Sequence, residues 1–127
     1  MTTITSFSSD IRVAIFGASG GVGQALVRQY AKNAQVATVY AFARSPIDHS
    51  SPKVIGGTFD LTDEDSIAAC ANRVAADGPL DIVIVATGIL WASDSLQPEK
   101  SLPELDLDNL SQVFAINAVG PALIAKH

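Results

Sequence analysis

The chain has 127 residues, of which 48% are hydrophobic and 17% charged, and its 8 basic and 13 acidic side chains give a formal net charge of −5. That apolar content suits one globular domain and excludes a disordered chain. An acidic surface argues against broad nucleic-acid binding, and the longest apolar runs fall short of a membrane span.

Residues 1–10 are polar, without the basic start and long apolar stretch of a secretory signal. They are expected to form a flexible leader before a domain over 11–127. The run Ile11-Arg12-Val13-Ala14-Ile15-Phe16 reads as the first strand and ends at Gly17. From Gly21 to Asn33, Val22, Leu26 and Tyr30 recur at helical spacing. Residues 35–42 are β-branched and aromatic and read as a second strand, closed by Arg44-Ser45-Pro46. Residues 54–59 read as a third, weaker strand. Thr62 is a candidate cap for a helix that carries Asp63, Glu64 and Asp65 in its first turn and runs to about Asp77. Residues 81–86 read as a fourth strand, apolar on both faces as in a parallel sheet. After a polar loop, a last helix is predicted from about Leu105 to His127. This alternation predicts an open, doubly wound parallel α/β sheet of Rossmann type, stopping after strand 4 and the following helix.

Charge is unevenly distributed. Residues 1–57 hold five basic and two acidic groups, and the remainder holds three basic and eleven acidic ones. This reads either as solvated surface or as a first half that receives an anion. The lone Cys70 permits no internal disulfide and fits a reducing, cytoplasmic setting. Cys70 is expected to be a packed small hydrophobe; Trp91, just past Gly88, reads mainly as a packing residue, the other reading being a fluorescence reporter of cofactor binding. Neither His49 nor His127 has a partner at metal-ligand spacing, so no metal site is expected.

The strongest motif is Gly17-Ala18-Ser19-Gly20-Gly21-Val22-Gly23, set between a buried strand and an amphipathic helix. Glycines there permit a tight turn and close approach of the backbone to a diphosphate, and the N–H groups of the helix start bind the anion. No Gly-Lys-Ser/Thr follows, which excludes the ATP-binding P-loop. Ser19 occupies the second glycine position of Gly-x-Gly-x-x-Gly, so that pattern is absent too. What remains is Gly-x-x-x-Gly-x-Gly through Gly17, Gly21 and Gly23, or Gly-x-x-Gly-x-x-Gly through Gly17, Gly20 and Gly23. Beyond the loop, Asp60 reads by itself as a turn or cap residue, and Asn117 before Gly120-Pro121 as a helix bend. No acid lies between Val22 and Ile47, where an NAD site usually carries one for the ribose hydroxyl. Arg44 stands there instead, either as a solvated loop cation or as the partner of a 2′-phosphate.

On these residues the sequence resembles the short-chain dehydrogenase/reductase family over nearly the whole chain from Ile11. The stretch from Gly88 through Pro98-Glu99-Lys100-Ser101-Leu102 to Asn117-Ala118-Val119-Gly120-Pro121 is similar to its bacterial C-factor-like branch. The resemblance implies a cofactor site of Gly17, Ser19, Gly20, Gly21, Val22, Gly23, Arg44, Asp60, Leu61, Ala86 and Gly88. In it Asp60-Leu61 contacts the adenine and Gly88 lies against a ribose. Asn117 interrupts the helix ladder and holds a relay water. Two departures stand out. Phe16 replaces the common Thr, and Ala86-Thr87-Gly88 replaces Asn-Ala-Gly. The family's Tyr-x-x-x-Lys is absent, since Tyr30 is followed four residues on by Ala34 and Tyr40 by Arg44.

The expected function is therefore hydride transfer between NADP(H), less so NAD(H), and a small carbonyl or alcohol substrate. The 127 residues alone are expected to lack turnover. Full-length forms are expected to be homo-oligomers, without nucleic-acid or membrane partners. Two other readings are a non-catalytic NAD(P)-binding sensor or signalling module, and a half-domain that needs a complementing chain.

Overall fold

Four short apolar segments pair in parallel to form one sheet, in a computed structural model that describes residues 3–7 and 9–127. The strands are β1 (Ile11–Phe16), β2 (Val36–Ala43), β3 (Val54–Thr58) and β4 (Ile82–Val85). Their order is β3-β2-β1-β4. β1 lies in register with both neighbours, Ile15 facing Ala41 on one side and Ile84 on the other.

Successive residues of a strand point to opposite faces, so β1 and β2 feed two separate cores. Val13, Ile15, Val39 and Ala41 pack with Val27 of helix α1 (Gly21–Lys32). Ala14, Phe16, Tyr40 and Phe42 pack with Ile67, Cys70 and Val74 of helix α2 (Glu64–Asp77). Both faces are covered, which is why β1 and β2 read as near-continuous apolar runs. Phe16 anchors the second core, its ring tilted against Phe42 at 4.9 Å and edge-on to Phe59 at 5.1 Å. Cys70 is buried in this core, as expected, and burial pushes its thiol pKa up.

Three local expectations are corrected. Asp63, not Thr62, caps α2: its side chain accepts from the Asp65 N–H at 3.1 Å. Thr62 turns instead to Asp60. The last helical segment starts at Leu107 rather than Leu105, capped by Asp106, which accepts from the Asn109 N–H. A short 3-10 turn over Leu102–Glu104 precedes it. The rod is also not uniform. Helix α3 (Leu107–Phe114) passes through a wide π turn (Ala115–Val119) into helix α4 (Gly120–Lys126). Pro121 lies four residues after Asn117 and has no N–H to return to the Asn117 carbonyl. The ladder widens there, with the Gly120 N–H reaching back five residues to the Ala115 carbonyl.

At the amino ends of the strands, Arg12 ties the layers together. Its guanidinium donates to the Pro79 carbonyl at 2.7 Å, the Val74 carbonyl at 3.0 Å and the Tyr40 hydroxyl. That hydroxyl donates in turn to Asp77 at 2.7 Å. Arg12 thereby satisfies carbonyls at the C-terminal end of α2. Of the expected leader, Met1, Thr2 and Ser8 lie outside the described residues. Ile4 is tied to Gln35, its N–H donating to Gln35 Oε1 at 2.8 Å.

β4 is an edge strand: apolar on both faces by sequence, it leaves Val83 50% exposed. Among the described residues, no helix is long and apolar enough to cross a membrane.

Candidate functional site

The carboxyl ends of all four strands open into one cleft of about 600 Å³. In open α/β sheets this crevice is where ligands bind. Its floor is the β1–α1 loop. Gly17 has φ +92°, a left-handed conformation that disfavours any side chain. Its N–H and that of Ala18 both donate to the Phe42 carbonyl at 2.9 Å, fixing the loop to β2. Gly23 is required for a different reason. A Cβ there would lie 1.9 Å from the Gly17 carbonyl oxygen, so helix and loop touch without room for a methyl. At Gly21 a Cβ would meet nothing within 4 Å.

α1 begins without a capping side chain and without an acid in its first turn. Its first N–H groups therefore have no side-chain acceptor from the protein, and the dipole favours an anion there. At Gly20 a Cβ would touch only the Gly17 carbonyl oxygen, at 3.7 Å, so little protein crowds the loop there. These features fit a diphosphate.

The second wall comes from β2 and β3. Arg44 follows β2 and is exposed at the cleft. Asp60 follows β3, and its Oδ1 accepts from both the Thr62 N–H at 2.8 Å and the Thr62 hydroxyl at 2.7 Å. Those two bonds hold the Asp60 carboxyl below its ordinary pKa, with a smaller contribution from the Arg44 charge.

The third wall is the segment after β4. Ala86, Thr87, Gly88 and Ile89 line it. Asn117, from the π turn, accepts from the Ile89 N–H and donates to the Ile89 carbonyl, both at 2.7 Å.

The cleft thus gathers Gly17, Ser19, Gly20, Arg44, Asp60, Leu61, Ala86 and Gly88 of the sequence-derived set. Gly21, Val22 and Gly23 stand behind the wall in α1, with Val22 68% exposed and Gly23 buried. Asn117 does not line the cleft but grips Ile89, which does. Three residues escaped the sequence reading. Thr62 orients Asp60; the Asp-x-Thr spacing was a usable signal. Thr87 has a buried hydroxyl without a hydrogen-bond partner on the cleft wall, which no pattern could announce. Trp91 is 62% exposed at the mouth, so the expectation that it packs is overturned. The turn that bears it lies outside both cores.

The model of the short chain dehydrogenase family matches residues 12–127. The chain is 32% identical over 124 residues to a cis-4-hydroxycyclohexanecarboxylate dehydrogenase of Sinomonas cyclohexanicum, covering 91% of this chain and 47% of that protein. It is 31% identical over 121 residues to a (+)-cis,trans-nepetalactol synthase of Nepeta racemosa, covering 91% of this chain and 43% of that one. It spans about half the length of these curated relatives. Its fold matches that of an NADPH-bound carbonyl reductase from chicken fatty liver with a TM-score of 0.77 at 22% identity, over 94% of this chain and 47% of that one. With its loop, sheet order and nearly full-length family match, this chain belongs to the short chain dehydrogenase family.

Proposed function

We propose that residues 11–127 are the cofactor-holding part of an NADP(H)-dependent oxidoreductase acting on a carbonyl or alcohol substrate. The observation that carries this reading is the uncapped start of α1 behind a glycine-rich loop, in one cleft with Arg44 and Asp60. When bound, the nicotinamide supplies or accepts the hydride. The chain's own residues bind and orient. Ser19 and Gly20 present the loop to the diphosphate, Gly21 and Val22 supply N–H groups at the start of α1, and Gly17 and Gly23 make the close loop–helix contact that shapes the site. Arg44 pairs with a 2′-phosphate, which an acid there would repel. Asp60, held ionised by Thr62, and Leu61 hold the adenine end. Ala86 and Gly88 offer a bare wall to the ribose, and Asn117 fixes the adjoining Ile89.

The Tyr-x-x-x-Lys pair does not occur in residues 1–127, so these residues alone bind without turnover. The pattern from Gly88 to Pro121 supports placement in the C-factor-like branch. A cytoplasmic protein with a homo-oligomeric full-length form completes the reading. The test is titration of the purified chain with NADPH and NADH, read by the emission of the reduced nicotinamide. Saturable NADPH binding, at least about fivefold tighter than NADH as expected for one charged hydrogen-bonded contact, is the expected result. Failure of both to bind overturns the reading.

A further inference from the structure

One crossover of the sheet carries no helix. α1 joins β1 to β2 and α2 joins β3 to β4, but β2 reaches β3 through residues 44–53 alone. A parallel crossover usually takes about a dozen residues or more, with a helix that covers the sheet. Here the short loop packs Ile47 against the core that holds Val27, and no second helix lies beside α1. A groove of about 550 Å³ is left between α1 and residues 46–50. It is distinct from the nicotinamide cleft and shares only Ser19 with it.

Its floor is apolar, formed by Val27 and Ile47, and its rim is polar. Gln24 and Arg28 stand four residues apart on one face of α1, and Asp48 and His49 line the loop side. Other cations of the first half are engaged: Arg12 and Lys53 donate to carbonyls, and Arg44 lines the cleft. Arg28 and Asp48 are exposed, and among the described residues neither makes a hydrogen bond or an ion pair. His49 Nδ1 accepts from the Ser51 N–H at 3.1 Å, which puts the proton of the neutral ring on Nε2 as a free donor. Gln24 Nε2 donates to the Ser19 carbonyl at 2.8 Å, which leaves Gln24 Oε1 as an acceptor.

This donor and acceptor set selects among ligands. A guanidinium with an imidazole N–H suits a phosphate, and α1 carries no acid to oppose one. A bare phosphate would leave the Asp48 carboxylate as pure repulsion, and a neutral polyol would leave Arg28 unused. A sugar phosphate engages both, with hydroxyls donating to Asp48 and the C–H face of the ring on the apolar floor. We propose that this groove binds a phosphorylated sugar, its phosphate on Arg28 and His49 and its hydroxyls on Asp48. The site lies beyond the nicotinamide reading and uses none of that cleft's charged residues.

The experiment is calorimetric titration of the purified chain with ribose 5-phosphate, ribose and inorganic phosphate, with and without saturating NADP+. Ribose 5-phosphate should bind at least about tenfold tighter than either fragment, and NADP+ should not displace it. Arg28→Gln should weaken ribose 5-phosphate about tenfold. Asp48→Asn should weaken it about threefold while inorganic phosphate binds equally or better, because a repelling charge is gone. Neither side chain has an internal partner, so both variants should keep the unfolding temperature of the parent chain. Absence of ribose 5-phosphate binding, displacement by NADP+, or affinity that Arg28→Gln leaves within about twofold overturns the proposal. Failure of NADP+ to bind overturns the nicotinamide reading instead, and the titrations without it still decide the groove.

Discussion

The carboxamide of Asn117 and the peptide unit of Ile89 bind each other twice. The Ile89 N–H donates to Asn117 Oδ1 and Asn117 Nδ2 donates to the Ile89 carbonyl, each at 2.7 Å. The pair spans 28 residues of sequence and staples the π turn to the wall of the cleft beside Gly88. An amide side chain alone offers one donor and one acceptor in the geometry of a peptide.

Asn117→Asp keeps the shape but sets a carboxylate oxygen against the Ile89 carbonyl. We expect a loss of about 1–2 kcal/mol in stability and a rise in the Kd for NADPH. Thermal unfolding and nucleotide titration check this. Unchanged values for both refute the positioning role.

Two glycines in the first turn of α1 should behave oppositely. Gly23→Ala forces a methyl to 1.9 Å from the Gly17 oxygen, and the loop must shift. A loss of about 3 kcal/mol or more is expected, the usual scale of an overpacked site. Gly21→Ala meets open space and removes backbone freedom from the unfolded chain. It should leave stability unchanged or raise it by about 0.5 kcal/mol. Its methyl nevertheless points where the proposed diphosphate lies, so nucleotide affinity falls. Denaturant titration of both variants separates the two effects.

Arg44→Asp should invert cofactor preference. The NADPH affinity falls about tenfold or more, while NADH binding holds or improves through the ribose hydroxyl. An unchanged ratio of the two dissociation constants rules out Arg44 as the 2′-phosphate partner.

Asp60 has a depressed folded-state pKa, caused first by the Thr62 side-chain bond and then by the Thr62 backbone bond. A depressed carboxylate contributes stability that is fully present above its ordinary pKa of 3.8 and is lost as pH falls through the lower folded value. Thr62→Val removes the hydroxyl and leaves the backbone donor. The Asp60 pKa should then move up toward its ordinary value, followed by carboxyl NMR titration. A pKa that does not rise contradicts the assignment of cause.

Tyr40 is 1% exposed and its hydroxyl both accepts from Arg12 and donates to Asp77. Burial, then the Asp77 bond, raises its pKa, so it remains protonated through neutral pH. Tyr40→Phe removes the hydroxyl that donates to Asp77, while the Arg12 nitrogen that served it keeps only the Val74 carbonyl. The expected cost is about 1–2 kcal/mol, measured by denaturant titration, with nucleotide affinity unaffected.

Periodicity in the sequence located β1, β2, α1 and α2 to within a residue or two, because each buries apolar side chains at its own repeat. The glycine loop was equally legible, since Gly17 and Gly23 are required by local backbone geometry and a short-range contact. Arg44 was found by its distance along the chain from that loop, and Asp60 through the resemblance of Asp60-Leu61 to the family's Asp-hydrophobic pair. Other features depended on where remote segments meet. Thr62 read as a cap until Asp60 and Asp63 competed for the same turn. The Asn117–Ile89 pair and the Arg12–Tyr40–Asp77 network join residues tens of positions apart, and no local repeat encodes them. Trp91 shows the same limit in reverse: apolar by composition and expected to pack, it stands exposed because the turn beside it is pinned by Leu96 and Asn109. Short-range sterics and hydrophobic period are written along the chain; which surfaces are left open is fixed only when the chain folds back on itself.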